Sequence, residues 1–446
     1  MSETIMDNEN ITENQHQHKK DRLDRLDLIK QSTVMVIDGE KDDEANKDDE
    51  VNKDNKDNKD NTEPRTGLIN SGNDCFINSA MQCLAVSPFI HAFIKRYQED
   101  DNKMVFIINK YELGKLKADE MQDYINKLLS SNSNIIGEEK RILQQIAKKS
   151  GDIFIYTCFK ELINNLHSKM YKNISCGTLI SVSKEITDST GFEHLFGGEQ
   201  NDPHELMAFL LDKIHNAKST QVKIELPANY ESMDPYFKLY LKHIKNRYQN
   251  DFSMFVKNFY YYILNCIECS ACNNQSLDVS PNDIMCVSLP SNWQSNGNIQ
   301  LEECINEMFR VESIDYKCDK CGNTEHNRMD KKLLTKPKTL IIKIKRYAQI
   351  GKMLVKINKM VHYPETINLG QYFCGVGIQD YHLYGIINHI GTLGGGHYYS
   401  YIKDYNKDYQ FENRWYLCND TNVREIPFDN VMQSNNAYML FYHSNN

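Results

Sequence analysis

Apolar and polar positions divide the chain into three stretches of different period. Residues 1 to 64 are polar and charged, and from Lys41 the degenerate run KDDEANKDDEVNKDNKDNKDN carries no apolar periodicity and no aromatic residue. Such a segment buries too little apolar surface to offset its ordering entropy, so it is expected to be a disordered, low-complexity tail. Inside it, Leu23, Leu26, Leu28 and Ile29 offer one face of a short helix and TVMVI suits a strand equally, either of which would serve a partner.

Globular patterning begins at Pro64 to Leu68. After GLINSGNDC, the residues Phe76, Ile77, Ala80, Met81, Leu84 and Ala85 recur at spacings of three and four until Ser87-Pro88, which predicts a helix opening at Cys75. Residues 100 to 195 read as helical and irregular, with no clear order. At Asp202 the pattern is that of a helix start: Asp as N-cap, Pro203 at the first helical position, Glu205 three after the cap, then Leu206, Phe209, Leu210 and Ile214 on one face. From about 255 the period changes. TLIIKIKRY, YHLYGIIN, HYYSYIK, RWYLCN and AYMLFY are short β-branched and aromatic runs between turn residues, which predict an antiparallel sheet. Helices first and strands second make an α+β chain, a helical lobe facing a β lobe with a cleft between them.

Composition narrows the function. The chain has 446 residues and a formal net charge of −9, so it lacks the basic face that a phosphate backbone demands, and nucleic acid is not an expected partner. No run of about 18 apolar residues and no secretory pattern is present, so neither a membrane nor secretion is expected; the reading is an intracellular monomer. In a reducing compartment its 13 cysteines are thiols, metal ligands or a nucleophile, not a disulfide framework.

Cys75 stands where thiol chemistry is served best, at a helix N-terminus whose unpaired amides and dipole favour a thiolate. A cysteine in such a place is more often a small buried hydrophobe, and Cys83 in the same helix reads that way. Gly67 and Gly72 are expected to permit tight turns before the helix. Asn70 offers a side-chain amide that, with the Cys75 main-chain amide, would make an oxyanion hole. Asp74 disfavours a thiolate unless it turns away to cap the helix, which is the expectation here. His397, at a strand entry after Leu393-Gly394-Gly395-Gly396, is the expected base, and these glycines are expected to form a mobile loop that admits substrate. Asn419 and Asp420 follow the next strand, and antiparallel pairing would bring either beside His397. His389 reads as structural.

Three segments together resemble the ubiquitin-specific proteases, cysteine peptidases that remove ubiquitin. TGLINSGNDCFINSAMQCL is similar to their cysteine box, GGEQNDPHELMAFLLDKIH to their QQDAxEF helix, and YHLYGIINHIGTLGGGHYYSYIKD with RWYLCNDTNV and AYMLFY to their histidine box. The resemblance covers about 65 to 446. It implies a papain-like fold with a thumb over 65–255, zinc-ribbon fingers over 256–345 and a palm over 346–446. It also implies Cys75 as nucleophile, His397 as base, Asn419 with Asp420 as third member, Asn70 at the oxyanion, and Asp202, Gly395 and Gly396 against the basic tail of ubiquitin. Departures are Asp74 for Thr, Phe76-Ile77 for Tyr-Met, Asn201 for Gln, Leu206 for Phe, and Asn419 where many members have Asp; none removes a required group.

Cys269-Ser-Ala-Cys272 and Cys318-Asp-Lys-Cys321 supply a four-thiolate set for structural zinc. Cys266 is spaced equally from Cys269 and competes with it by spacing; the resemblance, through CxxCxxxS, favours Cys269. No catalytic cofactor is expected. The implied partners are ubiquitin and ubiquitinated proteins. Two rival readings keep the fold, a non-catalytic ubiquitin-binding scaffold and a protease for another ubiquitin-like modifier. A zinc-ribbon nucleic-acid binder is disfavoured by charge.

Overall fold

The computed structural model describes residues 65–168, 170–187, 191–294, 297–374, 379–392, 394–406 and 410–444. The acidic tail 1–64, with its expected disorder and its Leu23–Ile29 face, lies outside them, as does Leu393. The helix Cys75–Ala85 is the hub. All eleven of its residues are buried, more than a single apolar stripe requires, because helices cover one side and the main sheet the other. Its polar residues are satisfied locally: Ser79 donates to the Phe76 carbonyl at 3.1 Å and Gln82 to the Thr66 carbonyl at 3.0 Å.

The helical lobe adds Pro88–Lys110, Ala118–Ser131, Gly137–Ser168, Gly177–Thr187 and Pro203–Lys218, which resolves the stretch that patterning left unordered. Gly137–Ser168 breaks at Lys149, whose backbone leaves helical values (φ −134°, ψ 27°). There Lys149 Nζ donates to the Asn216 and Ser219 carbonyls, both at 2.8 Å, fastening the break to the end of Pro203–Lys218. The Asp202 cap forms as expected, its carboxylate accepting the His204 N–H at 2.9 Å, but Glu205 does not close a capping box. Glu205 instead meets His194 at 2.8 Å.

The main sheet has eight strands. Asn422–Ile426, Phe411–Asn419, Gly395–Tyr405, Asp380–Thr392, Ala437–His443, Thr339–Lys345 and Ile284–Ser288 lie side by side, with Thr366–Asn368 paired to Asp380–Thr392. Pairing is antiparallel except at one edge, where Ile284–Ser288 runs parallel to Thr339–Lys345. Gly385 on the central strand packs against Cys83, 3.3 Å from where a Cβ would sit, so Cys83 is the core residue expected of it.

A separate four-stranded antiparallel sheet, in the order Gln275–Asn282, Tyr261–Glu268, Asn327–Leu333, Glu312–Ile314, forms the fingers. Two boundaries move. Thr339–Lys345 and Ile284–Ser288, expected in the fingers, belong to the main sheet, because their alternate Ile, Met and Val side chains fill its core. The helix Pro235–Tyr248, expected in the thumb, instead packs Ile244 and Tyr248 with Tyr262, Leu264 and Val279 of the finger sheet. Among the described residues no single helix is long and apolar enough to cross a membrane.

Candidate active site

The cysteine segment is held by the turn that follows the strand Phe411–Asn419. Leu68 of the short strand Gly67–Ile69 donates its N–H to the Asp420 carbonyl at 3.0 Å. Gly67 is glycine because of this approach: a Cβ there would lie 2.7 Å from the Thr421 carbonyl oxygen. Gly72, expected to serve a turn in the same way, faces open space. Asn70 organises the loop between strand and helix. Its Oδ1 accepts the N–H groups of Gly72 at 3.0 Å and Asp74 at 3.1 Å, and its Nδ2 donates to Asp420 Oδ2 at 3.0 Å. One N–H of that amide is thereby committed and one remains to meet an oxyanion.

Asp74 occupies the N-cap position without capping the helix; its carboxylate accepts the Ser71 N–H at 3.1 Å, bracing the loop. The carboxylate that acts on Cys75 is Asp420. Burial pushes the Cys75 thiol up from its usual range, and the Asp420 charge adds to that effect. Main-chain N–H groups of Tyr398, Phe76 and Cys75 pull the other way without compensating. Desolvation outweighs the amides of the helix N-terminus, which runs against the expectation that the helix start favours the thiolate.

The Tyr398 amide that points at this sulfur belongs to the residue after His397. His397 lies opposite Ile390 in the antiparallel pair of Asp380–Thr392 with Gly395–Tyr405, and its Nε2 meets Asn419 Oδ1 at 2.6 Å. A carbonyl oxygen only accepts, so Nε2 carries the proton and Nδ1 keeps the lone pair needed for base catalysis. Asp420, in the left-handed region at φ 51°, turns its carboxylate away from the imidazole to Asn70 and to Asn78 Nδ2, the latter at 2.8 Å. Patterning missed Asn78; a polar side chain on an otherwise buried helix, one turn past Cys75, was the available signal.

Asp202, Gly395 and Gly396 share a cleft of about 990 Å³ with Asn73, Gln200, Lys343, Tyr398 and Tyr438. Gly395 and Gly396 are strand residues, paired with Thr392 and Gly391, in place of the loop expected of them. Gln200, which patterning also passed over, bridges the lobes: its Nε2 donates to the Gly396 carbonyl at 2.7 Å and its Oε1 accepts the Gly396 N–H at 2.8 Å. Gly396 fits because a Cβ would lie 2.3 Å from His389 Nε2. His389 is buried and stacked on Tyr398 at 4.5 Å, the structural role expected of it; burial and nearby positive charge lower its pKa to about 4.

In the fingers, the Sγ atoms of Cys269, Cys272, Cys318 and Cys321 all lie within 4.8 Å of one another. Cys269 and Cys321 are 3.5 Å apart and Cys272 and Cys318 are 3.7 Å apart, against about 3.8 Å for the edge of a tetrahedron with Zn–S bonds of 2.3 Å. Both pairs sit on matching knuckles. Asn273 donates to the Cys269 carbonyl at 2.9 Å and Gly322 to the Cys318 carbonyl at 2.8 Å, each from a positive φ. The four residues fit a structural zinc that would staple the two finger loops; Cys266 stays out of the group on its strand.

A buried thiol that meets the amide of Tyr398, the residue after an imidazole fixed by an asparagine, where a helical lobe meets a sheet, is an arrangement of the papain-like cysteine-peptidase type. The chain belongs to the ubiquitin carboxyl-terminal hydrolase family, whose model matches residues 66–442. It is 26% identical over 290 residues to the probable ubiquitin carboxyl-terminal hydrolase 8 of Schizosaccharomyces pombe, covering 64% of this chain and 55% of that one. It is 28% identical over 410 residues to ubiquitin carboxyl-terminal hydrolase 4 of Candida glabrata, covering 84% of this chain and 40% of that one. A probable hydrolase of Acanthamoeba polyphaga mimivirus is 22% identical and is spanned over 89% of its length. Among solved structures the fold is similar to the SAGA Ubp8/Sgf11/Sus1/Sgf73 DUB module bound to ubiquitin aldehyde, with TM-score 0.56 and 19% identity over 86% of this chain and 71% of that chain.

Proposed function

We propose that this chain hydrolyses the isopeptide or peptide bond after the terminal glycine of ubiquitin joined to other proteins, with Cys75 as nucleophile. The observation that carries the reading is the 2.6 Å bond from His397 Nε2 to Asn419, which leaves Nδ1 unprotonated, together with the Tyr398 amide, one residue on, that meets the buried Cys75 thiol. His397 takes the Cys75 proton as the sulfur attacks the glycine carbonyl, then gives it to the departing lysine amine. The Cys75 main-chain amide and the second Asn70 N–H receive the oxyanion. Water activated by His397 then hydrolyses the thioester and restores the thiol.

Asp202, Gly395 and Gly396 line the path of the ubiquitin tail in this reading. An intracellular setting, which would keep the thiols reduced, and a monomeric state belong to it as well, the latter to be measured by sedimentation equilibrium in place of analogy, since the solved Ubp8 structure is a four-protein module. The test is reaction of the chain with ubiquitin bearing a thiol-reactive electrophile at its C-terminus. A one-to-one adduct that Cys75→Ala abolishes is expected. Tight binding with no adduct would make the chain a scaffold, and an adduct only with another modifier would move the substrate.

A further inference from the structure

The carboxylate expected to meet the basic tail is already occupied. Asp202 Oδ1 accepts the His204 N–H at 2.9 Å, while Oδ2 accepts both Lys343 Nζ at 2.6 Å and the Tyr438 hydroxyl at 2.7 Å. Lys343 projects from the main-sheet strand Thr339–Lys345 toward the cap of a helix in the opposite lobe, so the ion pair crosses the cleft. Its side chain is 15% exposed and that of Asp202 26%, and the ammonium lies over the Tyr438 ring, 5.4 Å from its centre. A pair this shielded is not dissolved by solvent as a surface pair is. Lys345 and Arg346 add positive charge to the same wall of the cleft.

We propose that Lys343 is a specificity-determining residue of this enzyme: it competes with the basic residues of the ubiquitin tail for Asp202 and so weakens the hold on the tail. The inference rests on the function proposed above. A tail cation reaching Asp202 either displaces the Lys343 ammonium or stands beside it, and both cost Coulomb energy in a partly dehydrated cleft. Removing the ammonium does not orphan the carboxylate, because the His204 amide and the Tyr438 hydroxyl still donate to it. It leaves Oδ2 one donor short and the local charge negative, which is what an incoming arginine or lysine requires. A bridge that merely joined the lobes would behave in the opposite way, since its loss would loosen the cleft and weaken binding.

The experiment is titration of ubiquitin onto the full chain carrying Cys75→Ala, alone and combined with Lys343→Met or Lys343→Arg, at low and moderate salt. Lys343→Met is expected to lower Kd about fivefold. Lys343→Arg, which keeps the competing charge, is expected to leave Kd as it was, and the gain is expected to vanish for ubiquitin whose basic tail residues are replaced by glutamine. Unchanged or weaker binding by Lys343→Met, or a gain that persists with the neutral tail, would overturn the proposal. An adduct at Cys75 with a Kd indifferent to Lys343 sinks this inference alone. A Lys343-dependent Kd with no adduct at Cys75 sinks the peptidase reading alone.

Discussion

Asn419 and Asp420 are neighbours in sequence that face different ways. The strand end aims Asn419 at His397, while the left-handed backbone of Asp420 swings its carboxylate to Asn70 and Asn78. Asp420 therefore fastens the cysteine loop to the histidine hairpin, and its charge resists ionisation of Cys75 in addition to burial. The substitution Asp420→Asn removes that charge and keeps one acceptor. The rate of Cys75 alkylation by iodoacetamide at neutral pH is expected to rise severalfold, since more thiolate is present at a given pH. A fall would place the dominant effect in the lost hydrogen bond.

At the scale of elements, two helices meet the end of the helix Cys75–Ala85 through a pair of imidazoles. His91, in the first turn of Pro88–Lys110, and His167, at the end of Gly137–Ser168, stack with centroids 3.6 Å apart, and both donate Nε2–H to the Ala85 carbonyl. Burial, and for His91 the charge of His167, lowers its pKa to about 3; burial and the Arg65 charge lower that of His167 to about 4. Folded-state values below the ordinary 6.5 mean that the unfolded chain binds more protons in between. The stability contributed by this pair is present above pH 6.5 and lost as pH falls toward about 4. Thermal melts from pH 7 to 5 are expected to show a falling Tm, shallower in His91→Gln, which keeps a donor for Ala85 without a group that charges. Equal slopes would remove His91 from the cause, leaving His167 and the other imidazoles whose pKa desolvation lowers, His204, His215, His243, His389 and His443.

For the whole molecule, the working geometry depends on contacts that span the chain. Gln200 holds both backbone groups of Gly396, 196 residues away, and Asn73 Nδ2 donates to the Gly198 carbonyl at 2.9 Å. The helical lobe thus grips the strand residue that precedes His397. Gln200→Ala deletes two hydrogen bonds, each contributing about 1 kcal/mol, and amide exchange at Gly396 is expected to quicken by about tenfold or more. Exchange that stays slow would mean that the hairpin is ordered by strand pairing alone.

What could be read from the residues is what local spacing and chemistry control. Helical spacing after Cys75, the Asp202-Pro203 cap, the alternating runs of the sheet and the two C-x-x-C pairs each reflect neighbours within a few positions, and the elements they predict are present. Tertiary structure decided the rest, because those outcomes depend on groups brought together from distant segments. The upward push on the Cys75 thiol comes from burial and Asp420, against the pull of its own helix amides. Asp202 could not reveal that Lys343, 141 residues away, would hold it, since that partner is chosen by packing. The thumb, finger and palm boundaries shifted for the same reason: Thr339–Lys345 has one local pattern in any sheet, and only pairing with Ala437–His443 and Ile284–Ser288 assigns it to the main one.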